Sequence, residues 1–294
     1  MSIEQQSRRD FLKNSLLATA GATLLTNELW AGPKKPSPRH IGVQLYSVRD
    51  AIKIDAKGTL AKIAKMGYKE VEGFGYSDGK FFGLTPADYS KTLADNGLTM
   101  PSAHAMVTSK DYAGGQLSDG FKKLVEDAIS VGQKYVIAPY MVDEDRLQGK
   151  KMAEIFNKAG EYCKAAGVKF GYHNHDFEFK KYNGEQLYTT LLNNTDKHLV
   201  TFEMDLYWVV VGGEKPVEWF KKHQGRFTHF HVKDHDPVKN VTVEVGEGDI
   251  NFQEIFNAAK IAGTKYFVVE LENYKRTPME GIEIGLNNLK KLKF

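Results

Sequence analysis

The chain has 294 residues, enough for one large α/β domain or two small ones. Its 40 basic and 37 acidic side chains are interleaved and leave a formal net charge of only +3, which excludes the basic footprint of a dedicated nucleic-acid binder. The single cysteine, Cys163, excludes an internal disulfide and reads as a small buried apolar residue in a helical stretch.

Residues 1–31 read as an export signal rather than as part of the fold. Ser7-Arg-Arg-Asp-Phe-Leu-Lys13 precedes the short apolar run Asn14-Ser-Leu-Leu-Ala-Thr-Ala-Gly-Ala-Thr-Leu-Leu25, and cleavage is expected near Ala31, although Leu29-Trp30-Ala31 is a poor small-x-small site. The paired arginines followed by Phe-Leu-Lys resemble the twin-arginine consensus, so the export machinery is an expected partner and the periplasm the expected location. The alternative is a basic amphipathic helix or an uncleaved anchor. The apolar run is too short to span a bilayer comfortably, so no stable membrane anchor is expected. Residues 32–39, Gly32-Pro-Lys-Lys-Pro-Ser-Pro-Arg39, read as an extended Pro-rich linker.

From residue 40 to 294, short apolar runs rich in β-branched and aromatic residues alternate with stretches of helical period. Strands are expected at 41–46, 70–74, 99–104, 135–138, 169–175, 200–205, 227–232 and 266–271. Helices are expected at 55–66, 86–96, 118–131, 152–166, 186–193, 216–223, 252–262 and 279–292, with Gly67, Gly97, Gly132, Gly167, Gly225 and Gly263 as C-terminal caps. The expected fold is α/β, a single (β/α)8 barrel: eight strand–helix units in roughly 260 residues match the size of that barrel, about 250. An open doubly wound sheet fits less well, because the first strand runs into Gln44-Leu-Tyr-Ser-Val-Arg49 without a Gly-rich phosphate turn. The longest loop, about residues 234–250, follows strand seven on the side where such barrels carry their sites.

Polar residues recur at the C-terminal ends of the strands. In order they are Gln44 and Tyr46, Glu72, His104, Tyr140, His173 and His175, Glu203 and Asp205, His229, His231 and Lys233, and Glu270 and Glu272. In His229-Phe-His-Val-Lys-Asp234 the period-2 alternation puts two imidazoles and an ammonium on one strand face, a poor core and a good site. Imidazole and carboxylate suit Mn, Fe, Co, Ni or Zn, so one divalent ion held by the later strand ends is expected. Singly, each of these residues is as well explained as a satisfied core or surface group. The barrel has to gather them before they make a site.

The motifs Gly42-Val-Gln-Leu-Tyr-Ser47, Met66-Gly-Tyr-Lys-Glu-Val-Glu72, Pro101-Ser-Ala-His104, His173-Asn-His-Asp176, Met204-Asp-Leu-Tyr-Trp208, His231-Val-Lys-Asp234 and Val269-Glu-Leu-Glu272 resemble those of the xylose-isomerase-like barrels, the sugar phosphate isomerase/epimerase group. The resemblance runs from about Ile41 to the C-terminus. It implies a divalent-metal site made by His173, Asp205, His231 and Glu270. Relatives usually place a glutamate where His173 stands. The change favours a borderline metal over Mg and removes one of two glutamates that relatives use as a proton-transfer pair. Glu270 would then need His104 or His175 as partner, or Glu178 would supply the missing carboxylate. An abasic-site endonuclease is disfavoured, because that branch needs a further histidine ligand where Trp208 stands.

The implied chemistry is proton abstraction next to a carbonyl through an enediolate. The expected catalytic residues are Glu270, His104, His175 and Lys233, although Lys233 reads equally as an ion pair with Asp234 or Glu270. The expected sugar-contacting residues are Gln44, Tyr46, Glu72, Trp208 and His229. The substrate is a small sugar or glycoside. Three readings follow: an isomerase or epimerase, a lyase or hydrolase acting on 3-keto-glycosides by the same step, and a non-catalytic periplasmic sugar-binding barrel.

Overall fold

The computed structural model describes residues 40–293; the export signal and linker read at residues 1–39 lie outside them. Eight parallel strands close a barrel in chain order: β1 (His40–Gln44), β2 (Glu70–Gly73), β3 (Thr99–His104), β4 (Tyr135–Ala138), β5 (Lys169–His173), β6 (Val200–Asp205), β7 (Phe227–Val232) and β8 (Tyr266–Val269). β8 returns to pair with β1. Among the described residues no helix is long and apolar enough to cross a membrane.

The helices between the strands start and stop where local chemistry dictates. Asp55, Thr85 and Ser118 cap helices by accepting from the backbone N–H of Gly58, Asp88 and Phe121, and Thr277 forms a capping box with Glu280. Gly67 and Gly167 end their helices in the left-handed region, at φ 105° and 91°, where a side chain would be strained. Several boundaries differ from expectation: β5 ends at His173 rather than 175, β8 at Val269 rather than 271, the helix expected from 152 starts at Gly149, and the one expected to reach 292 ends at Leu289. β1 stops at Gln44, because Leu45–Val48 turn into a 3-10 helix capped by the Gln44 side chain, which accepts from the Tyr46 N–H. The helix expected at 252–262 is broken at Ala258 into Phe252–Asn257 and Ala259–Ala262.

Four small hairpins were not expected: Tyr76–Ser77 with Lys80–Phe81, Tyr112–Ala113 with Gln116–Leu117, Lys181–Tyr182 with Glu185–Gln186, and Asp234–Asp236 with Val241–Val243. They follow β2, β3, β5 and β7, so all four stand on the C-terminal face of the barrel. Three turn through Asp78-Gly79, Gly114-Gly115 and Asn183-Gly184, each with φ positive at both residues, the signature of a two-residue type I′ turn.

Alternation along each strand splits the interior in two. Val43, Val136, Phe170, Phe202, Phe230 and Phe267 point out and pack in the main core between sheet and helices. Full burial of such a side chain stabilises the fold by about 1.5–3 kcal/mol. Tyr135, Ile137, Tyr266 and Val268 form a separate apolar cluster inside the barrel. Above this plug the bore turns polar.

Candidate metal centre and active-site cavity

The polar layer is built from inward positions at the ends of all strands but β4. Asp205, His231 and Glu270 bring their ligand atoms within 4.8 Å of one another, and so, separately, do His104, His173, Glu203 and His231. His231 belongs to both groups. Its Nδ1 lies 2.8 Å from Glu270 Oε2, while its Nε2 faces Glu72 and, at 3.1 Å, Glu203. His173 also looks two ways, with Nδ1 at 3.2 Å from Glu203 Oε2 and Nε2 at 3.7 Å from Asp205 Oδ2. Residues from β5, β6, β7 and the segment after β8 therefore converge as the barrel hypothesis requires.

Lys233 is 1% exposed and sits among three carboxylates, 3.0 Å from Asp205 Oδ2, 2.9 Å from Glu270 Oε2 and 2.6 Å from Glu272 Oε1. The expected ion pair with Glu270 is present. The one with Asp234 is not: the Asp234 carboxylate accepts instead from the backbone N–H of His235, Gly246, Gly248 and Ile250, and so ties down the loop after β7.

Burial works against every charge here, and the neighbours decide which charges persist. Burial lowers the pKa of Lys233, but Asp205, Glu270 and Glu272 together outweigh it and raise it well above the usual lysine value. Burial likewise disfavours the His231 cation, yet Glu203, Glu270 and Glu72 together raise it well above the usual imidazole value. Asp205 is pushed up to about 6, first by burial, with Lys233 opposing and Glu270 adding to it. His173 falls to about 3, by burial and then by its neighbour His231, so it is a neutral imidazole.

These residues fit a divalent cation. Two carboxylates and an imidazole, from Asp205, Glu270 and His231, bring their ligand atoms within 4.8 Å of one another, with His173 Nε2 3.7 Å from Asp205 Oδ2, and the buried Asp205 Oδ2 accepts no hydrogen bond although an ammonium stands beside it. Glu178, the alternative strand-five carboxylate, does not belong to this set. It accepts from Tyr172 Oη at 2.5 Å and from the His175 N–H at 2.8 Å. Tyr172 is an outward position of β5 packed in the main core, so Glu178 lies behind the barrel wall.

A cavity of about 540 Å³ opens above the cluster, within the usual range for small-molecule sites. Tyr46, His104, His173, His175, Lys233 and Glu270 line it, with Phe74, Tyr76, Met106 and Tyr140 forming an apolar wall. His175 stacks on Phe177 and packs against Trp208; its buried Nδ1 has no hydrogen-bond partner.

Several residues expected at the sugar stand elsewhere. Gln44 and Glu72 are buried beneath the cavity and bonded to each other at 2.9 Å. Trp208 packs behind His175, with Lys233 Nζ 5.5 Å over its ring. His229 is sealed in the apolar plug, stacked on Tyr266 and edge-on to Tyr135. It is fully buried, and burial holds its pKa at about 4. Glu203, left out of the expected ligand set, meets three imidazoles, those of His104, His173 and His231. The signal was there in Glu203-Met-Asp205, where the two acids share one strand face.

The chain resembles known proteins along most of its length. A sugar phosphate isomerase/epimerase from Parabacteroides distasonis is 32% identical and superposes with a TM-score of 0.77 over 89% of this chain and 97% of that one. The IOLI protein, solved with a bound zinc atom, is 18% identical and shares the fold, with a TM-score of 0.64 over 85% of this chain and 96% of that one. Inosose dehydratase of Clostridium perfringens is 30% identical over 156 residues, 45% of this chain and 50% of that protein. The chain thus spans about half the length of the curated relatives it matches. With the xylose isomerase-like TIM barrel model matching residues 60–292, the chain belongs to that family.

Proposed function

We propose that the protein is a divalent-metal-dependent enzyme that removes the proton next to the carbonyl of a keto-sugar and expels an oxygen substituent from the neighbouring carbon. Its substrates on this reading are keto-inositols or 3-keto-glycosides, and it is a lyase before it is an epimerase. The observation that carries the reading is a cavity lined together by His175, Lys233 and Glu270, with the ligand atoms of Asp205 and His231 within 4.8 Å of that of Glu270.

His173, Asp205, His231 and Glu270 would hold the ion, which when bound draws electron density from the carbonyl and favours the enediolate. His175 takes the proton from carbon. Lys233 offers a positive charge to the developing oxyanion. The carbon–oxygen bond to the β-substituent breaks, and His175 returns its proton to that leaving oxygen, so no net proton is consumed. Epimerisation needs carriers on both faces of one carbon. His104, the cavity-lining imidazole not assigned to the ion or to His175's role, is already engaged with Glu203 at 2.8 Å. Elimination needs only one carrier. The resemblance to inosose dehydratases points the same way.

An isomerase or epimerase remains the second reading, favoured by the Parabacteroides relative. Incubation with a keto-inositol and with 3-keto-glucosides in deuterated water separates the two. Loss of water or release of the aglycone is the expected result. Deuterium in recovered, intact sugar shows epimerisation or isomerisation instead. Turnover of neither, with sugar still bound, shows a binding barrel. We also propose export by the twin-arginine route on the strength of Arg8, Arg9 and the apolar run behind them. A mature N-terminus near residue 32 in a periplasmic fraction tests it.

A further inference from the structure

The cavity has two unlike halves. The later strands supply the polar one, with His173 and His175 at the end of β5, Lys233 after β7, and Glu270 and Glu272 after β8. The earlier strands supply the other, with Tyr46 beyond β1, Phe74 and Tyr76 beyond β2, Met106 beyond β3 and Tyr140 beyond β4. Nothing else lining this second half carries a charge or an amide, apart from His104, whose Nε2 is held by Glu203. Two of the three tyrosine hydroxyls are already engaged: Tyr76 donates to Asp127 Oδ2 at 2.6 Å, and Tyr140 accepts from Arg146. The wall therefore offers rings more than hydrogen bonds.

This half is open to water at a cost. Eight large apolar side chains are exposed among the described residues, and three of them, Tyr46 at 40%, Met106 at 47% and Tyr140 at 36%, meet here from three different strand ends. Contiguous exposed apolar surface of this kind marks a binding site, because an apolar group laid on it leaves water in turn. The wall is also braced from behind: Phe74 lies edge-on to both Tyr46 and Phe82, with ring centroids 5.2 and 5.1 Å apart. A keto-sugar ring alone does not fill such a space. Its carbonyl and hydroxyls need the polar half, and a hydroxyl pressed on the apolar wall is left without a partner. The volume, about 540 Å³, is that of a site for a drug-sized ligand, larger than one sugar ring.

We infer that the apolar half is an aglycone site, and that the substrate is a 3-keto-glycoside whose leaving oxygen carries an apolar, ring-bearing group, in preference to a keto-inositol. The inference rests on the elimination proposed above and names the group expelled. The sugar occupies the polar half and the aglycone the wall. The C1–O bond breaks, the leaving oxygen takes the proton held by His175, and the aglycone departs as an apolar alcohol or phenol, leaving an unsaturated keto-sugar. Tyr140 is edge-on to His175 with centroids 5.2 Å apart, so the apolar wall begins beside the group that protonates the leaving oxygen.

Benzyl and methyl 3-keto-glucosides test it, because their leaving oxygens are of like acidity and only one carries a ring. With the protein equilibrated with a divalent cation, kcat/KM should be about 10- to 100-fold higher for the benzyl compound, the effect of burying one ring, and higher than for a keto-inositol. Met106→Asp should bring the benzyl-to-methyl ratio to within about threefold. Val238→Asp, the same change at a side chain 91% exposed and outside the cavity, should leave the ratio as it is. A wild-type ratio within about threefold, with both compounds split, overturns the aglycone site and leaves the elimination standing. So does a ratio that survives Met106→Asp, or faster turnover of the keto-inositol. If neither glucoside is split, calorimetry of their binding reads the same preference. Benzyl bound at least about tenfold tighter keeps the apolar site and overturns the elimination; equal binding overturns both.

Discussion

His229 and His231 stand on the same face of the same strand, two residues apart, and share almost nothing else. His229 lies between Tyr135 and Tyr266, and burial holds it neutral with a pKa of about 4. His231 lies among Glu72, Glu203 and Glu270, whose charges overcome the same burial and raise its pKa well above the ordinary value. One is a piece of the apolar plug; the other is the hub of the polar layer. Depth along the bore, set by the company each residue keeps, separates a packing histidine from a chemical one.

The polar layer should be far more sensitive to substitution than the plug. The largest effect is expected from His175→Phe. It keeps a ring against Phe177 and Trp208 but removes the free nitrogen, and should lower kcat by about 10²–10⁴-fold with metal content unchanged. Activity within threefold of wild type would transfer the proton to another group. Lys233→Met comes next. Removing the ammonium leaves Asp205, Glu270 and Glu272 buried together, and urea denaturation of the metal-free protein should show a loss of about 3–5 kcal/mol. A divalent cation should restore part of that loss; no response to cation would detach Lys233 from the metal centre.

Glu178 offers a control outside the bore, a buried acid with no metal role. Burial pushes its pKa up to about 8. The fold therefore favours its protonated form. That contribution to stability is complete below the ordinary glutamate value, about 4.3, and is lost as pH rises through 8. Glu178→Gln, which has no charge to bury, should gain on wild type by about 1.4 kcal/mol per pH unit across that window. Parallel stability curves for the two proteins would show that Glu178 is ionised in the fold at no cost. The smallest effect is expected in the plug. His229→Phe replaces a buried ring whose Nε2 has no partner, and should change stability by less than about 1.5 kcal/mol.

Much of this was legible before any coordinates. The expected spans of β3, β4, β6 and β7 are the observed ones; β4, β6 and β7 are short runs rich in β-branched or aromatic residues, while β3, Thr99-Met-Pro-Ser-Ala-His104, follows the helix-ending Gly97. The convergence of 205, 231 and 270 followed from the rule that barrels gather chemistry at strand ends. The three DG, GG and NG hairpins were readable from their dipeptides, but each strand is only two residues long and carries no alternation to draw notice. The depth of His229 was not readable. Alternation along β7 says which face a residue shares; its height in the bore depends on how all eight strands are staggered at closure. Glu203 was obscured for the same reason, since it stands one rung below Asp205, where His104, His173 and His231 reach it.

The central claim is that His231 organises bound metal while His229 does not. Elemental analysis of wild type, His229→Phe and His231→Gln, purified alike and equilibrated with the same zinc concentration, tests it most directly. The account predicts wild-type metal content in His229→Phe and loss of metal in His231→Gln. Equal metal in both variants would contradict it.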